Sequence, residues 1–390
     1  MIVFRCCLAA LLLFVFVVLP RAQVPATPVS GIVFEDTNRN GARDPGERGL
    51  GGIGVSNQHE VVETAIDGSY RLQGAGYGIV FVSLADGYGT TGPFWRAVST
   101  EPIDFALTAR TPPSTFSFIH ASDTHVSRQS VSRLQQLRSI AEERRPDFVL
   151  ITGDLVRDAL RVGEEEARGY YDLYTNETRR FPMPVWSVPG NHENFGIERH
   201  QSLVSASHPL YGKGMYRARL GPNYYSFTHG GVHFVGLDSV DIADLWYYGH
   251  VDATQLTWLR ADLARLPAGT TVVTFNHIPF ISAVEPMSGF RDDGAAPTLI
   301  KVGDRTVFRH VVSNFKEILP ILQSRDWPLA LGGHGHIRES IRYESATRTR
   351  FHQAAAVVGP TTDVVSAISG VALYRVRDRV IDDGEFIPIR

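Results

Sequence analysis

The pentapeptide Gly332-Gly333-His334-Gly335-His336 places two imidazole side chains two residues apart. Neutral imidazole is the commonest metal ligand among protein side chains. Gly335 has no Cβ, so the backbone between the histidines is free to turn and the two rings can point at different metal ions. The alternative is a histidine-containing loop that follows a buried strand. The residues upstream decide between these interpretations.

Polar side chains also follow other predicted strands, at the point where each strand ends. Apolar runs predict buried strands at residues 116–120, 148–152, 185–188, 233–237, 271–275 and 329–331. The polar residues at the strand ends are Asp123, His125, Asp154, Asn191, His192, His277, His334 and His336. Ligand sites in open α/β sheets lie outside the carboxyl ends of the strands. Each motif alone is compatible with an ordinary turn, but together they predict one site at one edge of the sheet.

Helical patterns alternate with these strands. After the first strand, apolar residues recur every three positions at Val131, Leu134, Leu137 and Ile140, which predicts an amphipathic helix. Asp252, with Gln255 three residues later, predicts the N-cap of a second helix. That helix carries Leu256, Leu259, Leu263 and Leu266. The alternation predicts an α/β domain over residues 115–390, which the sequence Thr-Pro-Pro-Ser at 111–114 links to the preceding region.

Residues 29–110 show a different pattern, in which strands alternate only with glycine-rich turns. Short strands are predicted at residues 31–34, 53–56, 61–64, 70–72 and 79–84. Asp67-Gly68 is typical of a hairpin turn. This spacing predicts a small all-β sandwich of the immunoglobulin-like or prealbumin-like kind.

One loop of this region, Asp-Thr-Asn-Arg-Asn-Gly-Ala-Arg-Asp-Pro-Gly-Glu at residues 36–47, matches the pattern of a calcium-binding loop. The candidate ligands are Asp36, Asn38, Asn40, Asp44 and Glu47. Oxygen ligands at this spacing suit a hard cation. No flanking helices are predicted, so the loop is unlike a helical calcium sensor. A turn stabilised by Asp, Asn and Gly alone is the alternative.

Residues 1–23 read as a secretory signal peptide, because one basic residue precedes an apolar run at 6–19 that is short for a membrane span. Cleavage near Ala22 or Gln23 would make the protein secreted or periplasmic, and an uncleaved anchor is the alternative. Cys6 and Cys7, the only cysteines, lie in this segment, so the mature chain would bind transition metals through nitrogen and oxygen. No later apolar run reaches membrane length.

The overall composition predicts a folded, soluble protein of two domains. The chain has 390 residues, of which 43% are hydrophobic and 20% charged, and its net charge is −3. Proteins that bind nucleic-acid backbones carry a clustered excess of basic residues. The basic residues of this chain are scattered among as many acidic ones, so the sequence carries no nucleic-acid-binding signature.

The ordered set of motifs resembles that of the calcineurin-like metallophosphoesterases. The motifs are Asp123-Thr124-His125, Gly153-Asp154, Gly190-Asn191-His192-Glu193, Asn276-His277 and Gly333-His334-Gly335-His336. The resemblance implies an α/β fold with central sheets flanked by helices, and the region around Asp36 resembles a β module that precedes some members. It further implies that Asp123, His125, Asp154 and His336 hold one metal ion. Asp154, Asn191, His277 and His334 would hold a second.

A pair of divalent ions at such a site suits a phosphate substrate. The ions contribute a charge of +4, and two carboxylates with a bridging hydroxide remove three, which leaves the site positive. We therefore expect hydrolysis of small-molecule or polymer-linked phosphomonoesters or phosphodiesters by that hydroxide. His192 is expected to hold the phosphoryl group or protonate the leaving group, with a core position as its alternative.

Several features stay open at this stage. Nitrogen and oxygen ligands admit manganese, iron, zinc or cobalt. Two further functions are compatible with the motifs: a non-catalytic surface binding module with structural metals, and a metal hydrolase that acts on another bond. Residues 170–180, 245–250 and 281–310 are predicted insertions that overhang the cleft and set its specificity. The oligomeric state is open.

Overall fold

The computed structural model describes residues 28–293, 297–344, 347–359 and 368–390. The predicted signal peptide lies outside the described residues. Among the residues that the structure covers, none of the helices has the length and apolar character needed to cross a membrane.

Every element between residues 29 and 109 is a β-strand, as the sequence predicts. The strands are β1 (Val29–Glu35), β2 (Gly54–Ser56), β3 (Val61–Glu63), β4 (Ser69–Leu72), β5 (Ile79–Ser83), β6 (Tyr88–Thr90), β7 (Trp95–Ala97) and β8 (Phe105–Ala109). They form two four-stranded sheets with the orders β4-β1-β8-β6 and β3-β2-β5-β7. Apolar side chains of both sheets, such as Val33 and Phe81, belong to one buried cluster. Strands β6, β7 and β8 were not predicted.

Strands and helices alternate from residue 115 onward. The first half contains β9 (Thr115–Ala121), α1 (Val131–Arg144), β10 (Phe148–Thr152), α2 (Glu164–Thr178), β11 (Val185–Val188), α3 (Arg199–Ser202), α4 (Gly214–Leu220), β12 (Tyr225–His229) and β13 (Val232–Gly236). The second half contains β14 (Val240–Ala243), β15 (Trp246–Gly249), α5 (Ala253–Ala264), β16 (Thr271–Phe275), α6 (Val284–Ser288), β17 (Leu299–Val302), β18 (Arg305–Phe308) and α7 (Phe315–Leu322). The last strands are β19 (Asp326–Gly332), β20 (Glu339–Glu344), β21 (Arg348–Gln353), β22 (Gly370–Arg377), β23 (Val380–Ile381) and β24 (Glu385–Pro388). The predicted α/β fold class is therefore confirmed.

Two six-stranded sheets form the centre of this region. One has the order β11-β10-β9-β22-β23 with β24 paired to β22, and the other has the order β12-β13-β16-β19-β21-β20. Strands β9, β10 and β11 are parallel to one another, as are β13, β16, β19 and β21. Aromatic side chains of the two sheets meet in the core, where Phe118 and Phe148 stack and both contact Phe234 edge to face. The parallel strands bring their carboxyl ends to a common edge.

The two predicted helices form as expected, with one difference at a boundary. Helix α1 buries Leu134 and Leu137 against the first six-stranded sheet. Helix α5 begins after Asp252, whose side chain accepts a hydrogen bond of 2.9 Å from the Gln255 N–H. The helix ends at Ala264, so Leu266 lies beyond it. The prediction of an insertion at residues 170–180 was wrong, because residues 170–178 belong to α2, in which Tyr171 and Tyr174 are buried.

The all-β region packs directly against the α/β region. The Trp258 indole donates to Ser56 Oγ at 3.1 Å, and the Gln58 side chain donates to the Tyr224 carbonyl at 3.1 Å. The Tyr224 hydroxyl in turn donates to the Gln58 carbonyl at 2.6 Å. Leu84 forms an isolated bridge with Phe227 in β12. Because buried apolar residues of both regions belong to one cluster, the two regions share a core.

A buried charge pair fixes α5 on the second six-stranded sheet. Asp262 Oδ2 lies 2.9 Å from His233 Nε2, and Asp262 Oδ1 accepts from Arg265 at 2.6 Å. Burial alone would raise the pKa of Asp262, but His233 and Arg265 lower it from 3.8 to about 2. A carboxyl whose pKa is lower in the folded protein stabilises the fold above its unfolded pKa. That contribution is lost as the pH falls toward 2.

We predict that Asp262→Asn lowers the free energy of unfolding by about 2 kcal/mol at pH 7. The difference from the unsubstituted protein should shrink as the pH falls from about 4 toward 2, because the carboxyl then becomes protonated in both states. Urea unfolding at a series of pH values measures it. The exposed Asp304→Asn is the control and should change little. A difference for Asp262→Asn that stays constant from pH 7 to 3 would contradict the assignment.

Candidate metal centre

The structure brings the polar residues from the strand ends to one place. Asp123 and His125 follow β9, Asp154 follows β10, Asn191 follows β11, and His277 follows β16. His334 and His336 follow β19. Their ligand atoms form two groups, one of Asp123, His125, Asp154 and His336 and one of Asp154, His277 and His334, each within 4.8 Å. Asp154 belongs to both groups.

Five of these residues have a left-handed backbone conformation, which residues other than glycine rarely adopt. Their φ angles are 53° at Asp123, 37° at His125, 48° at Asp154, 72° at His334 and 51° at His336. Such conformations cost on the order of 1 to 3 kcal/mol each and occur where the surroundings enforce them, often at functional sites.

The glycines around His334 matter because they have no side chain and so leave space for neighbouring groups. Gly335 is not among the glycines with positive φ, so the histidines themselves adopt the unusual backbone that was expected at this glycine. A Cβ on Gly333 would lie 1.8 Å from the Ser122 hydroxyl. Gly333 is therefore needed because the chain passes so close to the end of β9.

The first group places two imidazoles against two carboxylates. His125 Nε2 and His336 Nε2 lie 3.1 Å apart. Asp123 Oδ1 is 3.2 Å from His336 Nε2, and Asp154 Oδ2 is 3.6 Å from His125 Nε2. The other Asp123 oxygen accepts the backbone N–H of His334 at 3.1 Å. Burial and the neighbouring His192 lower the pKa of His125 to about 4, so its ring is neutral at pH 7.

The second group meets around His277. Its Nδ1 donates to the Thr152 carbonyl at 2.8 Å, so the ring in its neutral form carries its lone pair on Nε2. That Nε2 lies 3.2 Å from Asp154 Oδ1, 3.1 Å from Asn191 Oδ1 and 3.2 Å from His334 Nδ1. The amide oxygen of Asn191 therefore lies beside the second group.

Both groups suit a positive charge between the side chains. The buried Asp123 Oδ1 and His336 Nδ1 have no hydrogen-bond partner within the described residues. Burial alone would lower the pKa of His277, yet Asp154 raises it to about 9, so this position attracts a proton when no other cation is present. Nitrogen and oxygen donors of this kind bind divalent transition metals. The residues thus fit a pair of metal ions.

His192 lies at the wall of the cleft rather than in the core. Its backbone N–H donates to Asp154 Oδ1 at 3.0 Å, and its Nδ1 lies 2.6 Å from the Arg157 carbonyl, to which it donates. The Nε2 atom is left without that proton and lies 3.9 Å from Asp154 Oδ2. About a fifth of the side chain is exposed. The ring can therefore meet a molecule in the cleft.

The cleft above the two groups is a cavity of about 770 Å³. Two of the three predicted insertions contribute to its walls, through Tyr247 and through Ser282, Val284, Arg291 and His310. Burial and the Arg309 guanidinium lower the pKa of His310 to about 4, which leaves this ring neutral at pH 7. No sequence motif surrounds His310, so no role could be predicted for it.

Glu193 is a second residue whose role the sequence did not predict. It is buried, and its carboxyl oxygens accept the backbone N–H groups of Gly190, Leu155 and Val156 at 2.6, 2.8 and 2.9 Å. Burial and the nearby Asp154 raise the pKa of Glu193 to about 8. The side chain links the loop after β10 to the loop after β11, and so fixes the candidate ligands Asp154 and Asn191 relative to each other.

The predicted calcium loop lies in the all-β region. Asp36 accepts the backbone N–H groups of Asn40 and Gly41, and Glu47 accepts those of Thr37 and Asp44. The side-chain amides of Asn38 and Asn40 both donate to Asp44. These bonds are the ones that the alternative, an Asp/Asn turn, requires. Calcium binding at this loop stays a prediction.

We predict that Glu193→Ala lowers the free energy of unfolding by at least about 3 kcal/mol, because it leaves three buried N–H groups without an acceptor. Glu193→Gln should cost less, since its amide oxygen still accepts two of these bonds while its NH₂ group faces the third donor. Urea unfolding measures both. The exposed Glu165→Ala should change the free energy of unfolding by less than about 0.5 kcal/mol. An equally small effect of Glu193→Ala would show that Glu193 does not hold the two loops together.

Parts of this chain are similar to known proteins. A 3′,5′-cyclic-nucleotide phosphodiesterase of Nostoc sp. is 28% identical over 174 residues, which is 42% of this chain and 57% of that protein. A probable cyclic nucleotide phosphodiesterase of Rhodococcus erythropolis is 24% identical over 200 residues, which is 48% of this chain and 60% of that protein. Both matches span less than two thirds of the relative. A dimetal phosphatase from Danio rerio aligns with 70% of this chain and 99% of its own at 16% identity and a TM-score of 0.44.

The family model described as calcineurin-like phosphoesterase matches residues 116–338. This range includes every candidate metal ligand from Asp123 to His336. It covers more than half of the 390 residues. The chain belongs to the calcineurin-like phosphoesterase family.

Proposed function

We propose that the protein is a binuclear metal-dependent phosphoesterase that hydrolyses phosphodiesters or phosphomonoesters. The observation that carries this proposal is the position of Asp154, whose carboxylate belongs to both groups of candidate ligands. A shared carboxylate holds two ions close together, which is the arrangement used in hydrolysis of phosphate esters. The names of the two cyclic nucleotide phosphodiesterases support phosphodiesters as the first substrates to test.

Each residue of the site has a distinct part in this proposal. Asp123, His125, Asp154 and His336 would hold one ion, and Asp154, Asn191, His277 and His334 the other. Two such ions, when bound, activate water and neutralise phosphate oxygens. The Arg157 carbonyl orients the His192 ring so that Nε2 faces the cleft, where a protonated ring can donate to a phosphoryl or leaving-group oxygen.

The size of the cleft suits a substrate larger than inorganic phosphate. A cavity of about 770 Å³ lies within the range of about 300 to 1,000 Å³ that is typical of small-molecule sites. Tyr247, Val284 and Val358 give it apolar surface, and Arg157 and Arg291 give it positive charge. This combination suits an organic group attached to a phosphate, such as a nucleoside.

The proposal includes export from the cytoplasm, which rests on residues 1–23 alone. If these residues are a signal peptide, protein expressed in its host should occur in the secreted or periplasmic fraction and begin near Ala22 or Gln23. Fractionation followed by N-terminal sequencing measures both. Full-length protein in the cytoplasmic fraction would contradict export without affecting the proposed chemistry.

We predict that Asp154→Asn abolishes turnover and lowers bound manganese from about two ions per chain toward one or none. The reason is that both groups lose a charged ligand at once. Elemental analysis and hydrolysis of bis-p-nitrophenyl phosphate, p-nitrophenyl phosphate and 3′,5′-cyclic AMP with added Mn²⁺ measure the two effects. Asp172→Asn, at an exposed position of α2, is the matched control. Two bound ions together with an unchanged rate in Asp154→Asn would rule out the shared ligand.

We predict that His192→Ala keeps both metal ions, because Asn191 rather than His192 points at the second group. Turnover should fall by roughly 10²- to 10⁴-fold if the ring acts as a general acid. The loss should be smaller for p-nitrophenyl esters, whose leaving group departs without protonation, than for alkyl esters. An equal loss on both would indicate electrostatic binding of the phosphoryl group instead. Unchanged rates on both esters would exclude His192 from the reaction.

If wild-type protein binds two ions yet hydrolyses no phosphoester, one of the two alternative functions gains support. A structural-metal binding module would leave every ester in the panel intact. A hydrolase of another bond would act on a phosphoric anhydride or a sulfate ester under the same conditions. Metal binding and substrate choice are therefore tested separately.

A further inference from the structure

His310 is a cleft residue outside the five sequence motifs that carry the candidate ligands, and it contacts one of those ligands. Its Nδ1 atom lies 2.7 Å from His334 Nε2. The two ring planes are nearly parallel, with centroids 4.9 Å apart and an interplanar angle of 23°, so the rings meet edge to edge through these nitrogens. Tyr247 packs edge-on against both rings, at 6.1 and 5.8 Å. The contact thus combines a short polar distance with a fixed ring orientation.

The chain around His310 is anchored to the α/β core. The neighbouring Arg309 is buried and lies over the rings of Trp246 and Tyr247, at 4.7 and 4.3 Å. Its carbonyl accepts the Gly249 N–H at 3.1 Å, and the Ser313 N–H donates to the Gly249 carbonyl at 2.8 Å. His310 therefore lies in a segment, residues 309–313, that is hydrogen-bonded at both ends to Gly249 of β15.

Hydrogen bonding decides which nitrogen of each ring carries the proton. His310 Nδ1 and His334 Nε2 lie 2.7 Å apart, so one of these nitrogens donates and the other accepts. For His334 Nδ1 to bind a metal ion it must keep its lone pair, so the neutral His334 ring carries its proton on Nε2 and donates it to His310 Nδ1. The lone pair of His334 is then left on Nδ1, which lies 3.2 Å from His277 Nε2 in the second group.

We propose that His310 is a positioning residue, which fixes the tautomer and ring orientation of His334 so that His334 Nδ1 faces the second metal position. Histidines that bind metals usually donate their other N–H to a fixed acceptor, and loss of that acceptor typically costs about 10- to 100-fold in metal affinity or activity. The acceptor here comes from the insertion that also forms the cleft wall. This inference rests on the metal centre of the proposed function.

The experiment compares three substitutions in the full-length protein. His310→Phe keeps an aromatic ring but removes the acceptor, whereas the side-chain oxygen of His310→Asn lies near the position of Nδ1 and can accept the bond. Thr306→Ala, at an exposed position of the preceding strand β18, is the control. Mn²⁺ is titrated into each metal-free protein, free Mn²⁺ is measured by electron paramagnetic resonance, and the melting temperature is recorded.

We expect His310→Phe to weaken one of the two Mn²⁺ sites about 10- to 100-fold and to leave the other unchanged. His310→Asn should recover most of the affinity, and the control should match the unsubstituted protein. Wild-type affinity at both sites in His310→Phe would overturn the inference. Equal weakening of both sites with a lower melting temperature would also overturn it, because that result indicates a role in folding alone.

A second readout needs no metal. In protein labelled with ¹⁵N-histidine, long-range ¹H–¹⁵N spectra identify the protonated nitrogen of each neutral ring, and His334→Gln assigns the His334 signals. We expect His334 to be protonated at Nε2, and to become a mixture of tautomers in His310→Phe. The same tautomer in both proteins would overturn the inference. Failure of the unsubstituted protein to bind Mn²⁺ would instead contradict the proposed function, and this readout keeps the two outcomes distinct.

Discussion

The placement of one buried carboxylate, Asp154, constrains the rest of the site. Its two oxygens face His277 on one side and His125 on the other, at 3.2 and 3.6 Å. A buried anion is costly unless cations or donors surround it. The chain supplies the backbone N–H of His192 at 3.0 Å, and the remaining partners are ring nitrogens that bind a proton or a metal ion. The arrangement is therefore stable only with positive charge nearby.

Holding Asp154 in this position requires rigid support from the two sheets. The parallel strands deliver the ligands to one edge, and the left-handed backbone at Asp154 turns the chain as soon as β10 ends. Glu193 then ties this turn to the loop after β11 through three backbone hydrogen bonds. Strain at the ligands is thus offset by the sheets and by buried hydrogen bonds, which is typical of functional sites.

The main buried strands, helices α1 and α5 and the convergence of the ligands could be predicted, because apolar runs and helical periods are local features of the sequence. Asp123, Asp154 and His277 follow apolar runs directly, so the edge at which they meet follows from the strand order. Glu193 and His310 could not be assigned roles, because their partners lie elsewhere: Glu193 accepts bonds from residues near position 155, and His310 meets a residue 24 positions later. Strands β6 and β7 could not be predicted because each has only three residues, too few to show an alternating pattern.

In the proposed function, Asp154 lies between two metal ions. Anomalous diffraction from crystals grown with Mn²⁺ would locate these ions, because manganese positions are found without reference to the protein coordinates. We expect two peaks on either side of the Asp154 carboxylate, one beside His125 and His336 and the other beside His277 and His334. A single peak, or two peaks of which neither contacts Asp154, would contradict the proposal.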